Sequence, residues 1–217
     1  MRPTSTPSPG ARTTELDLGP YLTLIGTMSL AILSPGPAII SAIQMAFAHG
    51  RDRAMPYSLG LAFGASLWGL FSLAGLAVVF KIYPALFHGL KVVGGLYLLW
   101  MAYGLWTTAR DPLPAPAERR FGSGFIGGVA LNLSNPKPAL FYASLLMTLF
   151  PGTLSLAKQA SIYLTALSTE VFWYVVVTVA MSTAIMRKRY FAAKFWIDRV
   201  TAVALAGLGL MLMFARG

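Results

Sequence analysis

Six long apolar segments restrict this chain to one structural class. A helix that crosses the hydrocarbon core of a bilayer needs about 20 mostly apolar residues. We predict transmembrane helices at 19–48, 55–80, 86–108, 123–150, 158–186 and 197–215. Of the 217 residues, 56% are hydrophobic and 11% are charged, whereas a soluble domain carries about 25% charged residues. The predicted fold class is therefore an all-α integral membrane protein with six transmembrane helices.

The composition also excludes several kinds of chemistry. The chain has no cysteine, which excludes disulfides, thiolate metal sites and thiol redox chemistry. Its two histidines, His49 and His88, lie near the ends of apolar segments, so a histidine metal site or a serine–histidine hydrolase is not expected. No predicted span combines a nucleophile with a base, an acid pair or a set of metal ligands. We therefore predict no enzymatic activity, no cofactor and no metal.

Polar stretches divide the chain into parts. Residues 1–17 are rich in proline, serine and threonine and predict a disordered tail rather than a secretory signal. A proline-rich and charged linker at 110–122 separates two three-helix halves, at 18–109 and 123–217. Small residues within the spans, such as Gly60, predict close helix contacts rather than chemistry.

The basic residues indicate the orientation of the chain. The net charge is +10, but the lysines and arginines fall between the apolar segments, so nucleic acid is not an expected partner. The connections after the first, third and fifth spans carry more of them than the opposite side, with clusters at 51–53, 119–120 and 187–189. By the positive-inside rule, these connections are cytoplasmic and both termini are extracytoplasmic.

Two proline motifs interrupt the first and fourth spans at corresponding places. Pro-Gly-Pro at 35–37 aligns with Pro-Lys-Pro at 136–138 after a shift of 101 residues. Because each half has three helices, the second half enters the membrane from the opposite side. Inverted repeats with broken helices are typical of secondary transporters that bind their substrate near the bilayer midplane. We predict this arrangement, with ordinary kinked packing helices as the alternative.

The interruptions predict a class of ligand. Proline has no N–H, so four backbone carbonyls should lose their helical partners: those of Ala31, Leu33, Asn132 and Ser134. Such carbonyls can accept from an ammonium group. The half-helices expected to begin near Ile39 and Leu140 can donate N–H groups to a carboxylate. A small zwitterion such as an amino acid fits both features.

Two charged residues lie at membrane depth. Lys137 and Glu170 each fall near the middle of a predicted span, where a charge costs at least about 2.5 kcal/mol. Their opposite signs predict an ion pair. We interpret Glu170 as a group that binds a proton or a substrate ammonium, and Lys137 as a group that binds a carboxylate. The alternative is a buried pair that only fixes helix packing. Trp173 and Tyr174 follow Glu170 at i+3 and i+4 and either line the same path or simply pack.

These motifs resemble those of the LysE-type translocators, the lysine exporter and homoserine–threonine resistance family. The resemblance covers residues 18–215 and depends on Pro-Gly-Pro, on Asn-x-x-Asn-Pro-Lys at 132–137 and on the acid-x-x-Trp-Tyr pattern at 170–174. It implies a bacterial inner-membrane exporter of amino acids or their derivatives that is driven by the proton gradient. The chain departs from the family pattern at Ala38, where many relatives have a polar residue, and at Pro138.

Together, the residues and the resemblance predict a secondary exporter that works by proton antiport. The predicted proton-coupling residue is Glu170, and the predicted substrate-binding residues are Ser34, Pro35, Gly36, Pro37, Asn132, Asn135, Pro136, Lys137, Glu170, Trp173 and Tyr174. The expected partners are an amino acid or a derivative, protons and the lipid bilayer, with a homodimer left open. A passive small-solute channel and a membrane scaffold are the alternative functions.

Overall fold

The described part of the chain is entirely helical. The structure, a computed structural model, describes residues 18–82, 84–111 and 122–214. Within these ranges it contains seven helices: α1 (Gly19–Leu33), α2 (Pro37–Ile82), α3 (Pro84–Thr108), α4 (Phe125–Leu133), α5 (Pro136–Leu149), α6 (Leu156–Met181) and α7 (Ala184–Phe214). The predicted tail at 1–17 and most of the linker at 110–122 lie outside the described residues.

Three segments are long and apolar enough to cross a membrane among the residues described: Pro37–Leu76, Leu156–Met181 and Ala184–Phe214. The prediction of an all-helical membrane fold is confirmed at this level. Helix α7 begins at Ala184 rather than at 197, because Tyr190 and Lys194 are buried although the local sequence is strongly basic. Hydropathy alone assigns that basic stretch to a connection.

Two short non-helical junctions interrupt the helices. The first comprises residues 34–36, between the end of α1 and the start of α2. The second comprises residues 134–135, between α4 and α5. Helices α2 and α5 begin at Pro37 and Pro136, earlier than expected, because proline fits the first helical position, where an N–H would have no partner. Asn135 caps α5, and its Oδ1 accepts from the backbone N–H of Lys137 at 3.0 Å.

Helix α2 contains a sharp turn at Gly50. This residue has φ 73° and ψ 167°, which divides the 46-residue element into a first arm, 37–49, and a second arm, 51–82. Only glycine adopts such a backbone conformation without steric cost. The second arm is central to the fold because it packs against both α4 and α6.

We expect Gly50→Ala to lower the free energy of unfolding by about 1–3 kcal/mol, because a Cβ is strained at this positive φ. The thermal unfolding midpoint of the detergent-solubilised protein measures the effect. Gly26→Ala is the matched control, since a Cβ there meets no atom within 4 Å and the residue is helical. Equal midpoints for the two variants would contradict the prediction.

Glycines allow the closest helix crossings, as predicted. A Cβ on Gly60 would overlap the backbone of Phe125, and one on Gly128 would overlap the backbone of Tyr57, so α2 and α4 touch through their main chains. Gly95 and Gly209 form a similar contact between α3 and α7, where the added Cβ would lie 2.8 Å from the opposite carbonyl oxygen. These close approaches bring α2 against α4 and α3 against α7.

Candidate functional site

Both junctions open onto one internal cavity. Its volume is about 60 Å³, and its walls come from α1, α2, α4, α5 and α6. A cavity needs roughly 15 Å³ for each water molecule, so this one has room for only a few. The two proline motifs, although 101 residues apart in the sequence, therefore face each other in space.

Lys137 brings the second junction into contact with the first. It lies in the first turn of α5, and its Nζ is 3.4 Å from the position that a Cβ on Gly36 would occupy. The absence of a side chain at Gly36 thus leaves room for the ammonium group. Within the described residues, Nζ has no hydrogen-bond or ion-pair partner.

Glu170 supplies an acidic group to the same cavity. It is 4% exposed, in the middle of α6, and its Oε1 accepts from the Tyr142 hydroxyl at 3.0 Å. Its Oε2 is buried and has no hydrogen-bond partner among the residues that the structure describes. The predicted ion pair with Lys137 does not form, since Nζ and the carboxyl oxygens are more than 4.0 Å apart. Instead, a carboxylate and an ammonium face the same cavity, each with unused hydrogen-bonding capacity.

Asn132 adds a neutral acceptor to the cavity wall. Its side-chain Nδ2 donates to the carbonyl oxygen of Leu61 at 2.7 Å. Its Oδ1 is buried beside the Tyr174 side chain, with which it interacts. An amide oxygen has two lone pairs, so it can still accept a hydrogen bond from a ligand.

Two of the four backbone carbonyls predicted to bind a ligand accept hydrogen bonds from the protein itself. The Leu33 carbonyl accepts from the Tyr190 hydroxyl at 2.8 Å. The Asn132 carbonyl accepts from the Asn135 N–H at 3.2 Å and from Trp68 Nε1 at 3.4 Å. In the first turn of α5, two residues are prolines and the N–H of Lys137 is capped. The start of α5 therefore offers a ligand few backbone donors, whereas the first turn of α2, where Ala38 and Ile39 line the cavity, keeps its own.

The structure brings together eight of the predicted binding residues. The cavity is lined by Ser34, Gly36, Pro37, Asn132, Asn135, Lys137, Glu170 and Tyr174. Pro35 and Pro136 shape the junctions without lining it. Trp173 lies in a separate groove, where its Nε1 donates to Ser29 Oγ at 2.7 Å.

Three residues that contact the candidate site have no counterpart among the sequence predictions. Tyr142 holds Glu170, and the Lys194–Asp198 ion pair, 2.9 Å long, contacts the first junction through Ser34. A lysine and an aspartate at i and i+4 near the start of a predicted span were a usable signal. Nothing in the sequence distinguishes Tyr142 from other aromatic residues of the spans.

Comparison with known proteins identifies a family. The family described as LysE type translocator matches residues 29–216. A threonine efflux protein of Escherichia coli (strain K12) is 28% identical over 202 residues, which cover 90% of this chain and 98% of that protein. A leucine efflux protein of Klebsiella pneumoniae is 32% identical over 129 residues, which cover 57% of this chain and 60% of that protein. No solved structure matches the chain significantly.

Proposed function

The chain belongs to the LysE-type translocator family, and on that premise we propose that it exports amino acids or related small zwitterions by proton antiport. It is a multi-pass bacterial membrane protein and, like its family, a transporter rather than an enzyme. The proposed location is the inner membrane, with efflux driven by the proton gradient. A passive channel or a scaffold is the alternative. A channel would pass solute without saturation and without coupling to the proton gradient, and a scaffold would pass none.

The observation that carries the proposal is the pair of unpartnered charged groups on the cavity wall. Lys137 Nζ can donate to a carboxylate, and Glu170 Oε2 can accept from an ammonium. An amino acid supplies both groups on one carbon atom. Asn132 Oδ1 offers a further acceptor, and Tyr174 lies beside it. The same carboxylate can bind a proton when the cargo leaves. This exchange would couple the efflux of amino acid to the inward flux of protons.

We further propose six membrane crossings in two inverted halves, 18–109 and 123–217. The first half would comprise α1 with the first arm of α2, then the second arm of α2, then α3. The second half would comprise α4 with α5, then α6, then α7. The meeting of the two junctions at one cavity supports this arrangement, as does the placement of each junction in the first crossing of its half. Both termini would then lie outside and the linker in the cytoplasm.

The cavity wall favours neutral cargo. Besides the polar groups, it is formed by Ala31, Ile39, Ala65 and Phe141. A charged cargo side chain would find no partner among these residues. The relatives named for threonine and leucine efflux make these two amino acids the first probes.

Efflux from proteoliposomes tests the function directly. Vesicles loaded with labelled threonine or leucine should release it in a saturable way, and faster when protons can flow inward in exchange. Lysine and glutamate serve as charged comparisons. Release that does not saturate and ignores the proton gradient would indicate a channel, and no release of any tested amino acid would contradict export.

We expect Lys137→Gln to raise the KM for efflux by about 10- to 100-fold, since a charge-assisted hydrogen bond contributes about 1.5–3 kcal/mol. The cargo carboxylate would lose its charged donor while the cavity keeps its size. Lys188→Gln is the control, because Lys188 is exposed at the start of α7. An unchanged KM in Lys137→Gln would exclude this lysine from binding.

A further inference from the structure

Helix α7 carries four buried polar side chains on one face. Tyr190, Lys194, Asp198 and Thr201 are spaced by four, four and three residues, which aligns them along the helix. Their exposed fractions are 7%, 8%, 2% and 0%. None of them lines the cavity. Direct contact with cargo therefore does not explain why this row is buried.

One member of the row completes the interrupted end of α1. The Tyr190 hydroxyl donates to the Leu33 carbonyl at 2.8 Å. Thr201 Oγ1 lies 3.2 Å from the Leu30 carbonyl, but its closer acceptor is the Ile197 carbonyl of its own helix, at 2.7 Å. In a continuous helix, the Leu33 carbonyl would accept from residue 37, which is a proline without an N–H. Tyr190 supplies the donor that Pro37 lacks.

Asp198 joins the same end of α1 to the end of α3. Its Oδ1 accepts from Ser34 Oγ at 2.8 Å, and its Oδ2 accepts from Lys194 Nζ at 2.9 Å. The same ammonium donates to the carbonyls of Thr108 and Ala109 at 3.0 and 3.2 Å. Both carboxylate oxygens and all three ammonium protons are thus used, in contrast to the charged groups of the cavity.

We propose that Asp198 is a positioning residue for transport, an inference that rests on the proposed function. Ser34 has the cavity on one side and Asp198 on the other. Through this serine, Asp198 holds the first junction in place, with Gly36 against the Lys137 ammonium. When the junction moves to admit cargo, the Ser34–Asp198 hydrogen bond must either break or move together with the junction. Helix α7 thereby couples the cavity wall to the end of α3.

The absence of native cysteine makes this coupling measurable without cargo. Ala65→Cys places one thiol on the cavity wall, where a water-soluble maleimide reports how often the cavity opens. In this background, Asp198→Asn and Tyr190→Phe should each raise the labelling rate at least about 5-fold, the effect of a modest shift in an opening equilibrium. Tyr190→Phe removes only one hydroxyl, so it keeps the test decisive if Asp198→Asn inserts poorly.

The matched control is Tyr103→Phe, which removes a hydroxyl from an exposed tyrosine of α3 and should leave the labelling rate unchanged. Equal labelling of the parent, Asp198→Asn and Tyr190→Phe proteins, including no labelling at all, would overturn the proposal. Because no amino acid is added, this result stands even if the protein exports none of the tested amino acids.

Efflux kinetics separate positioning from binding. Asp198→Asn should lower the maximal rate per folded molecule at least about 10-fold while KM changes by less than about 3-fold. Ser34→Ala combined with Asp198→Ala should lose little more rate than Asp198→Ala alone, because each substitution removes the Ser34–Asp198 hydrogen bond. An unchanged rate per folded molecule, additive losses or a raised KM alone would each overturn the assignment.

Discussion

Glu170→Gln is expected to abolish the dependence of efflux on the pH gradient. Glutamine keeps the size of the side chain and an acceptor for the Tyr142 hydroxyl, but it cannot bind and release a proton. Net efflux driven by a proton gradient should fall at least about 100-fold, a loss of roughly 2.7 kcal/mol in coupling. Exchange of internal for external amino acid needs no proton, so it should keep most of its maximal rate, with a raised KM because Glu170 also binds the cargo ammonium.

The measurement compares gradient-driven efflux with exchange in the same proteoliposome preparation. Asp52→Asn is the matched control, because this exposed carboxylate forms only a surface contact of 3.5 Å with Arg51. It should keep both activities. If Glu170→Gln still responds to the pH gradient as the parent does, Glu170 takes no part in proton coupling, and another group must carry the proton.

Gly128→Ala is expected to be, with Gly60→Ala at the same crossing, among the most destabilising of the glycine-to-alanine substitutions. Its new Cβ would overlap the Tyr57 carbonyl and lie 2.8 Å from the backbone nitrogen of Leu61. Because those atoms belong to the main chain of α2, no rotamer change relieves the clash and the two helices must separate. We expect a loss of about 3 kcal/mol in stability, the upper part of the range for overpacked sites.

Thermal unfolding in detergent and the yield of inserted protein measure this effect. Gly104→Ala is the control, since a Cβ there has open space within 4 Å and the residue lies inside α3. It should be neutral or stabilising by roughly 0.5–1 kcal/mol, because alanine is the better helix former. A Gly128→Ala protein as stable as the Gly104→Ala protein would show that α2 and α4 do not touch closely.

The sequence was most informative where a single residue has a large free-energy cost in its immediate surroundings. Charges at membrane depth are expensive, which pointed to Lys137 and Glu170 before any fold was known. Prolines within apolar segments pointed to the ends of α1 and α4 in the same way. Such costs depend little on which helices become neighbours.

Contacts that depend on helix crossing were not predictable. The sequence left the Leu33 carbonyl open to a ligand, but α7 places the Tyr190 hydroxyl against it. It favoured an ion pair between Lys137 and Glu170, but Tyr142 holds the carboxylate instead. The Lys194–Asp198 pair was missed because its stretch is basic enough to read as a connection. Each of these contacts joins residues of two different helices, or lies in a helix that is longer than the hydropathy pattern predicts.

A cavity of about 60 Å³ also limits which molecules can occupy the protein while its walls stand as described. A site that holds benzene measures about 150 Å³, so even a small amino acid must push the walls apart before it can be enclosed. The described form therefore does not enclose such a molecule. If the protein carries amino acids as proposed, cargoes with bulkier side chains would require a larger displacement of the walls and should load more slowly.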